Sequence, residues 1–285
     1  VSALIRAARP KQWTKNSFVL AAVIFAQRIF DPVSVALAVS AAAVFCALSS
    51  AVYFVNDIGD READRLHPVK RLRPIASGEI SVGSAVVSAI GLALAGLAAA
   101  AALKHAFFVV AVVYLAINAA YSKWLKHMVI VDVLSVASGF VLRVWAGAVV
   151  IGVPVTPWIL ACTLFLALFI SLAKRRSEII LLGGDAQGQR RILEEYPTEL
   201  LDLLIAIVTS LTIMSYSLFT FTAGHKMALI GTVPFVIYGM FRYLYLLYVQ
   251  KSTDPPDVLI LRDWLLLVNM ILWVVTAGAI LSVAD

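Results

Sequence analysis

Asn56, Asp60 and Asp64 recur every fourth residue in the stretch "FVNDIGDREADRLHPVKRLRP", directly after an apolar run. On a helix this spacing puts one amide oxygen and two carboxylates on a single face, with Asp57 and Glu62 off it. Such a row suits Mg²⁺, a hard cation that takes oxygen ligands, keeps some waters and shares its remaining positions with substrate phosphates. Mn²⁺, which also accepts oxygen ligands, is the expected substitute. The competing reading is a solvated helix end in which Asp60 and Asp64 pair with Arg61, Arg65 or Arg71. Carboxylates at the mouth of an apolar segment are costly unless they bind something, which favours the metal.

Cations surround this row. His67, Lys70, Arg71 and Arg73 follow it, the last three between Pro68 and Pro74 and therefore in a loop. Arginine suits bidentate phosphate contacts and lysine a mobile point charge. Lys15 stands beside Asn16 in "RPKQWTKN", Tyr121, Lys123 and Lys126 lie in "YSKWLKH", and Lys174, Arg175, Arg176 and Glu178 lie in "AKRRSEI". A general excess of inner-face cations explains those in loops. It does not explain Arg143, midway along the apolar run in "GFVLRVWAG", where a charge is expensive and marks function. Asp132 lies about three helical turns from Arg143, too far for a direct pair along one helix. Together these residues describe a pocket for a polyanion chelated to Mg²⁺, with a pyrophosphate ester as its natural guest.

The elements that position them are membrane helices. Of 285 residues, 62% are hydrophobic and 14% charged, against roughly 25% charged in soluble domains. About nine apolar segments approach the length that crosses a bilayer: 16–30, 33–55, 82–103, 106–122, 128–151, 156–173, 200–223, 227–249 and 263–284. The fold class is all-α and polytopic, with 1–285 as one transmembrane domain; the alternating segments of a β-barrel are missing. The formal charge of +6 reflects inner-face cations and not nucleic-acid binding. With the N-terminus inside, the outer face holds only Arg28, Lys104 and Lys226, and the polar loops 56–81, 174–199 and 250–262 share the inner face. The first segment is expected to insert uncleaved. Small residues in "GLALAGLAAAAA" favour close helix packing. Cys46 and Cys162 sit in separate apolar runs and are expected neither to pair nor to bind metal.

The stretch "NDIGDREAD" matches the NDxxDxxxD signature of the UbiA superfamily of intramembrane prenyltransferases, and nine spans with a cytoplasmic-side polar cap resemble that family's fold. Typical members carry a second motif, DxxxD, after the sixth span. This sequence departs from it with "LAKRRSEIILLGGD", where Glu178 stands among cations and Asp185 lies further on. The departure resembles a phosphoribosyl-transferring branch of the superfamily. "RPKQWTKN", "SAVYFVNDIGDREADRLHPVKRLRPIASG", "AKRRSEI" and "PPDVLILRD" carry that likeness, which covers nearly the whole chain.

The resemblance implies a bacterial inner-membrane enzyme with its active site on the cytoplasmic side. It implies 5-phosphoribosyl pyrophosphate as donor, a polyprenyl (decaprenyl) phosphate as acceptor, and a product used in cell-wall arabinan synthesis in actinobacteria. Asn56, Asp60 and Asp64 would then hold Mg²⁺, with Asp60, Asp64 and Arg143 as catalytic residues. Lys70, Arg71 and Arg73 would bind the donor with Tyr121 and Lys126 nearby. Arg143, Lys174, Arg175 and Glu178 would serve the ribose 5-phosphate or the lipid phosphate, and Lys15 the lipid phosphate. A phosphate monoester is ionised near pH 7 and needs no general base, so His67, His105, His127 and His225 are given no such role. A homo-oligomer is compatible with the sequence. Two rivals remain open: prenyl transfer from a prenyl diphosphate to an aromatic or other small acceptor, and transport of anionic metabolites.

Overall fold

The computed structural model describes residues 2–182, 195–222, 227–252, 254 and 256–282. Asp185, Arg190, Arg191, His225 and Lys226 lie outside the described residues. The regular structure among the described residues is helical, in two compact units.

The first unit comprises Val1–Lys123 and Leu142–Pro154. It contains α1 (Ala3–Ala8), a 3-10 stretch Pro10–Leu20, α2 (Ala21–Phe25), α3 (Pro32–Gly59), α4 (Arg61–Leu66), α5 (Val82–Leu103) and α6 (His105–Lys123). The second half of α7 (Val131–Ile151) also belongs to it. The second unit takes the first half of α7, then α8 (Pro157–Leu182), α9 (Thr198–Thr222), α10 (Val233–Tyr248), α11 (Pro256–Arg262) and α12 (Trp264–Ser282).

Local chemistry sets the helix ends. Pro32 opens α3, where its missing N–H costs nothing, and the Asp31 carboxylate accepts hydrogen bonds from the Val33 and Ser34 amides. Ser81 caps α5 through the Ser84 amide. Lys104 donates to the Val149 carbonyl at 2.8 Å near the end of α7, which closes at Gly152 with φ +72°. Asp263 accepts from the Leu266 amide at the start of α12 and receives two bonds from Arg242 of α10, at 3.2 and 2.7 Å. The Arg242 hydrogen bond, followed by that amide bond, holds the Asp263 carboxyl below its ordinary range despite partial burial.

Packing uses the small residues that the sequence supplies. In the first unit α3 packs on α5, and a Cβ at Gly96 would lie 2.7 Å from the Leu48 side chain. Gly91 of the same run meets nothing at that range, so only part of the run seals the contact. In the second unit α8 packs along α9 over Phe169, Leu172, Leu201 and Ile205.

Eight helices among the described residues are long and apolar enough to cross a bilayer, and the chain is an integral membrane protein. They coincide with the expected segments from 33–55 onwards. The first expected segment, 16–30, differs. It continues the 3-10 stretch and ends in the five-residue α2. The 3-10 stretch begins at Pro10, so the polar residues Lys11, Gln12, Thr14 and Lys15 lead into the segment and leave it a short apolar run, which is tied to α7. Gly147 of α7 faces the Val19 carbonyl so closely that any Cβ would overlap it. Both cysteines are free thiols.

Candidate active site

The acidic row lies where α3 gives way to α4. Helical bonding runs through the junction, with the Asp60 amide on the Asn56 carbonyl and the Asp64 amide on the Asp60 carbonyl, each at 2.8 Å. The spacing of four residues is therefore preserved although Asp60 itself, at φ −92° and ψ 4°, leaves the helix. Asn56 and Asp60 are half-buried, whereas Asp64 is buried.

Asp57, set aside on sequence grounds, is buried as well. Arg73 bridges the two buried carboxylates, reaching Asp64 at 2.6 Å and Asp57 at 3.2 Å. Arg9 closes on Asp57 from the left-handed residue that ends α1 and lies 5.0 Å above the Tyr53 ring. The expected competitors behave differently. Arg65 bonds the Ala76 carbonyl and Glu62, and Arg61 pairs with Glu62. The loop is anchored by Ile75, Ala76 and Ile80, all buried, with Ile75 and Ile80 clustered with Phe54, Ala85 and Ala89. Arg71 is exposed and Lys70 half-buried on the short helical turn Lys70–Leu72. His67 Nδ1 accepts the Val69 and Lys70 amides at 3.1 and 3.3 Å, so this ring caps the turn.

Other elements of the first unit reach the same row. Ser122, at the end of α6, donates its hydroxyl to the Asn56 side-chain oxygen, and Tyr121 precedes it half-buried. Deeper in the unit, Arg143 is buried. Its Nε donates to Asn16 at 2.8 Å, an Nη donates to the Tyr114 hydroxyl at 2.9 Å, and the guanidinium lies over the Tyr114 and Phe45 rings. Asn16 in turn donates to Cys46 and Ser49, while neighbouring Lys15 is exposed.

The donor set can be tested against Mg²⁺. Among the described residues no three His, Cys, Asp or Glu side chains converge enough to enclose a cation. A carboxylate and an amide oxygen on successive turns, with Asp64 one turn further, nevertheless form a hard-oxygen row. That row fits an ion whose coordination is completed by water and substrate phosphate.

The second unit carries the departure from the DxxxD pattern. Arg175 has only 8% of its side chain exposed. It contacts the fully buried Asp132 through Nε and Nη2, both at 3.1 Å, and Glu178 through Nη1 at 2.9 Å. The Tyr196 hydroxyl donates to Asp132 at 2.7 Å and accepts the Ile130 amide at 2.7 Å. Burial first, then the bond to Asp132, raises the Tyr196 hydroxyl above its ordinary pKa. Lys174, 55% exposed, lies 3.9 Å from Glu178. Arg176 turns to Asp202 at 2.6 Å and stacks over Tyr248, whose hydroxyl also bonds Asp202. Lys126 is half-buried in the turn Leu125–His127.

Within the first unit, the structure thus gathers Asn56, Asp60, Asp64 and Arg73 around one helix junction. Within the second it joins Lys174, Arg175 and Glu178. Asp57, Arg9, Ser122, Asn16, Tyr114 and Tyr196 were not foreseen. A signal existed for Asp57, which is seven residues from Asp64 and so also recurs over two turns.

Known proteins resemble the chain along its length. Decaprenyl-phosphate phosphoribosyltransferase of Mycobacterium tuberculosis is 36% identical, over 98% of this chain and 94% of the relative. The protein of the same name from Corynebacterium glutamicum is 38% identical, over 95% and 84%. In structure, the chain is similar to a UbiA homologue from Archaeoglobus fulgidus bound to DMAPP and Mg²⁺, with a TM-score of 0.76, 21% identity, and coverage of 99% of this chain and 100% of that one. The model of the UbiA prenyltransferase family matches residues 16–275, a range that holds the acidic row, its α6 partner and the altered end of α8. By that match and these relatives, the chain belongs to the UbiA prenyltransferase family.

Proposed function

We propose that the chain transfers 5-phosphoribose from 5-phosphoribosyl pyrophosphate to a polyprenyl phosphate, of the decaprenyl class, and releases pyrophosphate. The observation that carries this reading is the likeness, over 95% or more of the chain, to relatives named for that activity. The cations that replace the second acidic motif support it, because a phosphate-bearing acceptor adds anionic oxygen for the protein to neutralise. We read 1–285 as one transmembrane domain, with the N-terminus and the reaction on the cytoplasmic face of a bacterial inner membrane. The one-sided distribution of lysine and arginine supports that orientation.

In this reading Asn56, Asp60 and Asp64 hold Mg²⁺, which when bound offsets charge on the donor pyrophosphate. Lys70, Arg71 and Arg73 grip the donor phosphates, with Tyr121 and Lys126 assigned to the same substrate. Arg73, tied to Asp57 and Asp64, couples the loop to the carboxylates it serves. Arg143, Lys174 with its neighbours Arg175 and Glu178, and Lys15 are assigned to the ribose 5-phosphate and lipid phosphate. The bond from ribose C1 to the pyrophosphate oxygen breaks, with the electron pair leaving on pyrophosphate. A lipid phosphate oxygen forms the new bond from the opposite face and inverts C1. No general base is needed, consistent with His67 acting as a turn cap. Catalysis is positioning plus charge stabilisation of the leaving group.

The test is direct. Purified full chain, labelled phosphoribosyl pyrophosphate, polyprenyl phosphate and Mg²⁺ should place label in the organic phase. A parallel reaction with a prenyl diphosphate and an aromatic acceptor should give no prenylated product. Transfer only in the second reaction would replace the proposal with prenyl transfer.

A further inference from the structure

The end of α8 contains more order than a phosphate-binding lysine would need. Five groups form one hydrogen-bonded and ionic series: the Ile130 amide, the Tyr196 hydroxyl, the Asp132 carboxylate, the Arg175 guanidinium and the Glu178 carboxylate. Lys174 adjoins its outer end. Burial falls along the series, from Asp132 at 0% to the Lys174 side chain at 55% exposed. Ile130 sits at φ +68°, a left-handed conformation that a β-branched residue adopts only when its surroundings impose it. Its amide is held by the same Tyr196 hydroxyl that fixes Asp132. The strained backbone, the buried tyrosine and the buried ion pair therefore meet at one oxygen.

Arg175 is poorly placed to be the phosphate contact itself. It is nearly covered, and Nε, Nη1 and Nη2 already face carboxylates. Lys174, one residue earlier, is the exposed cation, and Glu178, one turn later, limits where its ammonium can go. Glu178 is in turn steered by Arg175.

We propose that Tyr196 and Asp132 are positioning residues for the transfer reaction, acting through Arg175 and Glu178 to fix the Lys174 ammonium for a substrate phosphate. This rests on the phosphoribosyl-transfer reading given above. Tyr196→Phe keeps the ring and removes both hydroxyl bonds, so it loosens the series without opening a cavity.

A double-mutant cycle between Tyr196 and Lys174 tests the proposal, using full-length protein shown to be folded by its size-exclusion profile. Steady-state kinetics are measured with each substrate varied in turn. Lys174→Ala should raise one KM and thereby identify the phosphate it serves. Tyr196→Phe should raise that same KM by about 3- to 10-fold, the scale of one or two hydrogen bonds, and leave kcat within about 2-fold. In the Lys174→Ala background, Tyr196→Phe should then change KM by less than about 2-fold, because coupled residues do not add. Asp132→Asn, which removes the charge, should show the same dependence on Lys174. A role in stability alone predicts effects that multiply in both backgrounds, and that result would overturn the proposal. So would a Lys174→Ala variant with unchanged KM for both substrates. Wild-type protein that transfers no label overturns the underlying reading before any variant is compared, so the two failures are distinct.

Discussion

The end of α3 in the first unit and the end of α8 in the second use the same kinds of residue to opposite effect. At α8 Arg175 is shared by Asp132 and Glu178, Lys174 adds to Glu178, and Arg176 pairs with Asp202. At α3 Arg73 serves both Asp57 and Asp64, which are buried, Arg9 adds to Asp57, and Asn56 and Asp60 are half-buried at the junction. Matched burial makes a rigid support. Half-buried oxygen ligands at a helix junction suit a cation and its phosphates. Sequence motifs record both as clusters of charge, and burial in space separates support from site.

The largest effects should come from attacking the acidic row. Chelation with EDTA should stop turnover and Mg²⁺ should restore it, with Mn²⁺ a partial substitute. Asp60→Asn should lower kcat/KM by roughly 100-fold or more with little change in melting temperature, since it loses charge at a half-exposed junction. Asp64→Asn should lose both activity and stability, because Arg73 then lacks its closer carboxylate. An Asp60→Asn variant within a few-fold of wild type would remove the metal assignment and make the two regions alike.

Next in size is the support. Arg175→Ala leaves Asp132 buried beside an absent partner, which should cost about 3–5 kcal/mol in stability, read by detergent melting curves. Arg175→Lys should recover part of that, because an ammonium cannot span Asp132 and Glu178 as the guanidinium does. An Arg175→Ala variant that melts like wild type but binds substrate poorly would return Arg175 to direct phosphate contact.

Smaller effects should follow from changes outside both regions. Gly147→Ala should cost about 1–3 kcal/mol through overpacking against the Val19 carbonyl, measured by the same curves. The smallest is pH-dependent. The Asp263 carboxyl is held below its ordinary range in the folded protein, so its contribution is present above the unfolded carboxylate value. It is lost as pH falls through the lower folded value. The difference in melting temperature between wild type and Asp263→Asn should therefore be constant near neutrality and shrink in acid. At neutral pH it should correspond to about 1–2 kcal/mol for a charge-assisted pair.

Apolar length made eight of the membrane helices legible, because hydrocarbon demands it of any segment that crosses. The segment 16–30 was legible as an apolar run, but not its form, a 3-10 stretch continuing into a five-residue helix. The acidic row was legible because periodicity on one helix is local. The distant partners of these charges, and of Arg143, were not. Arg9 lies 48 residues from Asp57, and Asn16 lies 127 from Arg143, separations that no spacing rule covers. Asp132, about three turns from Arg143 on one helix, takes its partner Arg175 from 43 residues on, which its own helix does not indicate. Tyr196 carried no signal at all, since a lone tyrosine before a helix is commonplace.

The pairing of Asn16 with Arg143 bears on how the chain is made. Ribosomal synthesis delivers Asn16 early, and the arginine it accepts from arrives only after α3, α5 and α6 have been completed. Until then the N-terminal 3-10 stretch lacks both Arg143 and the Gly147 notch that receives its Val19 carbonyl. A segment carrying a mid-span arginine partitions poorly into lipid by itself. Asn16 and Tyr114, already in place, offer α7 a receptor that lowers this barrier as it enters. The last step in assembling the first unit is thus the return of a late helix to the earliest part of the chain.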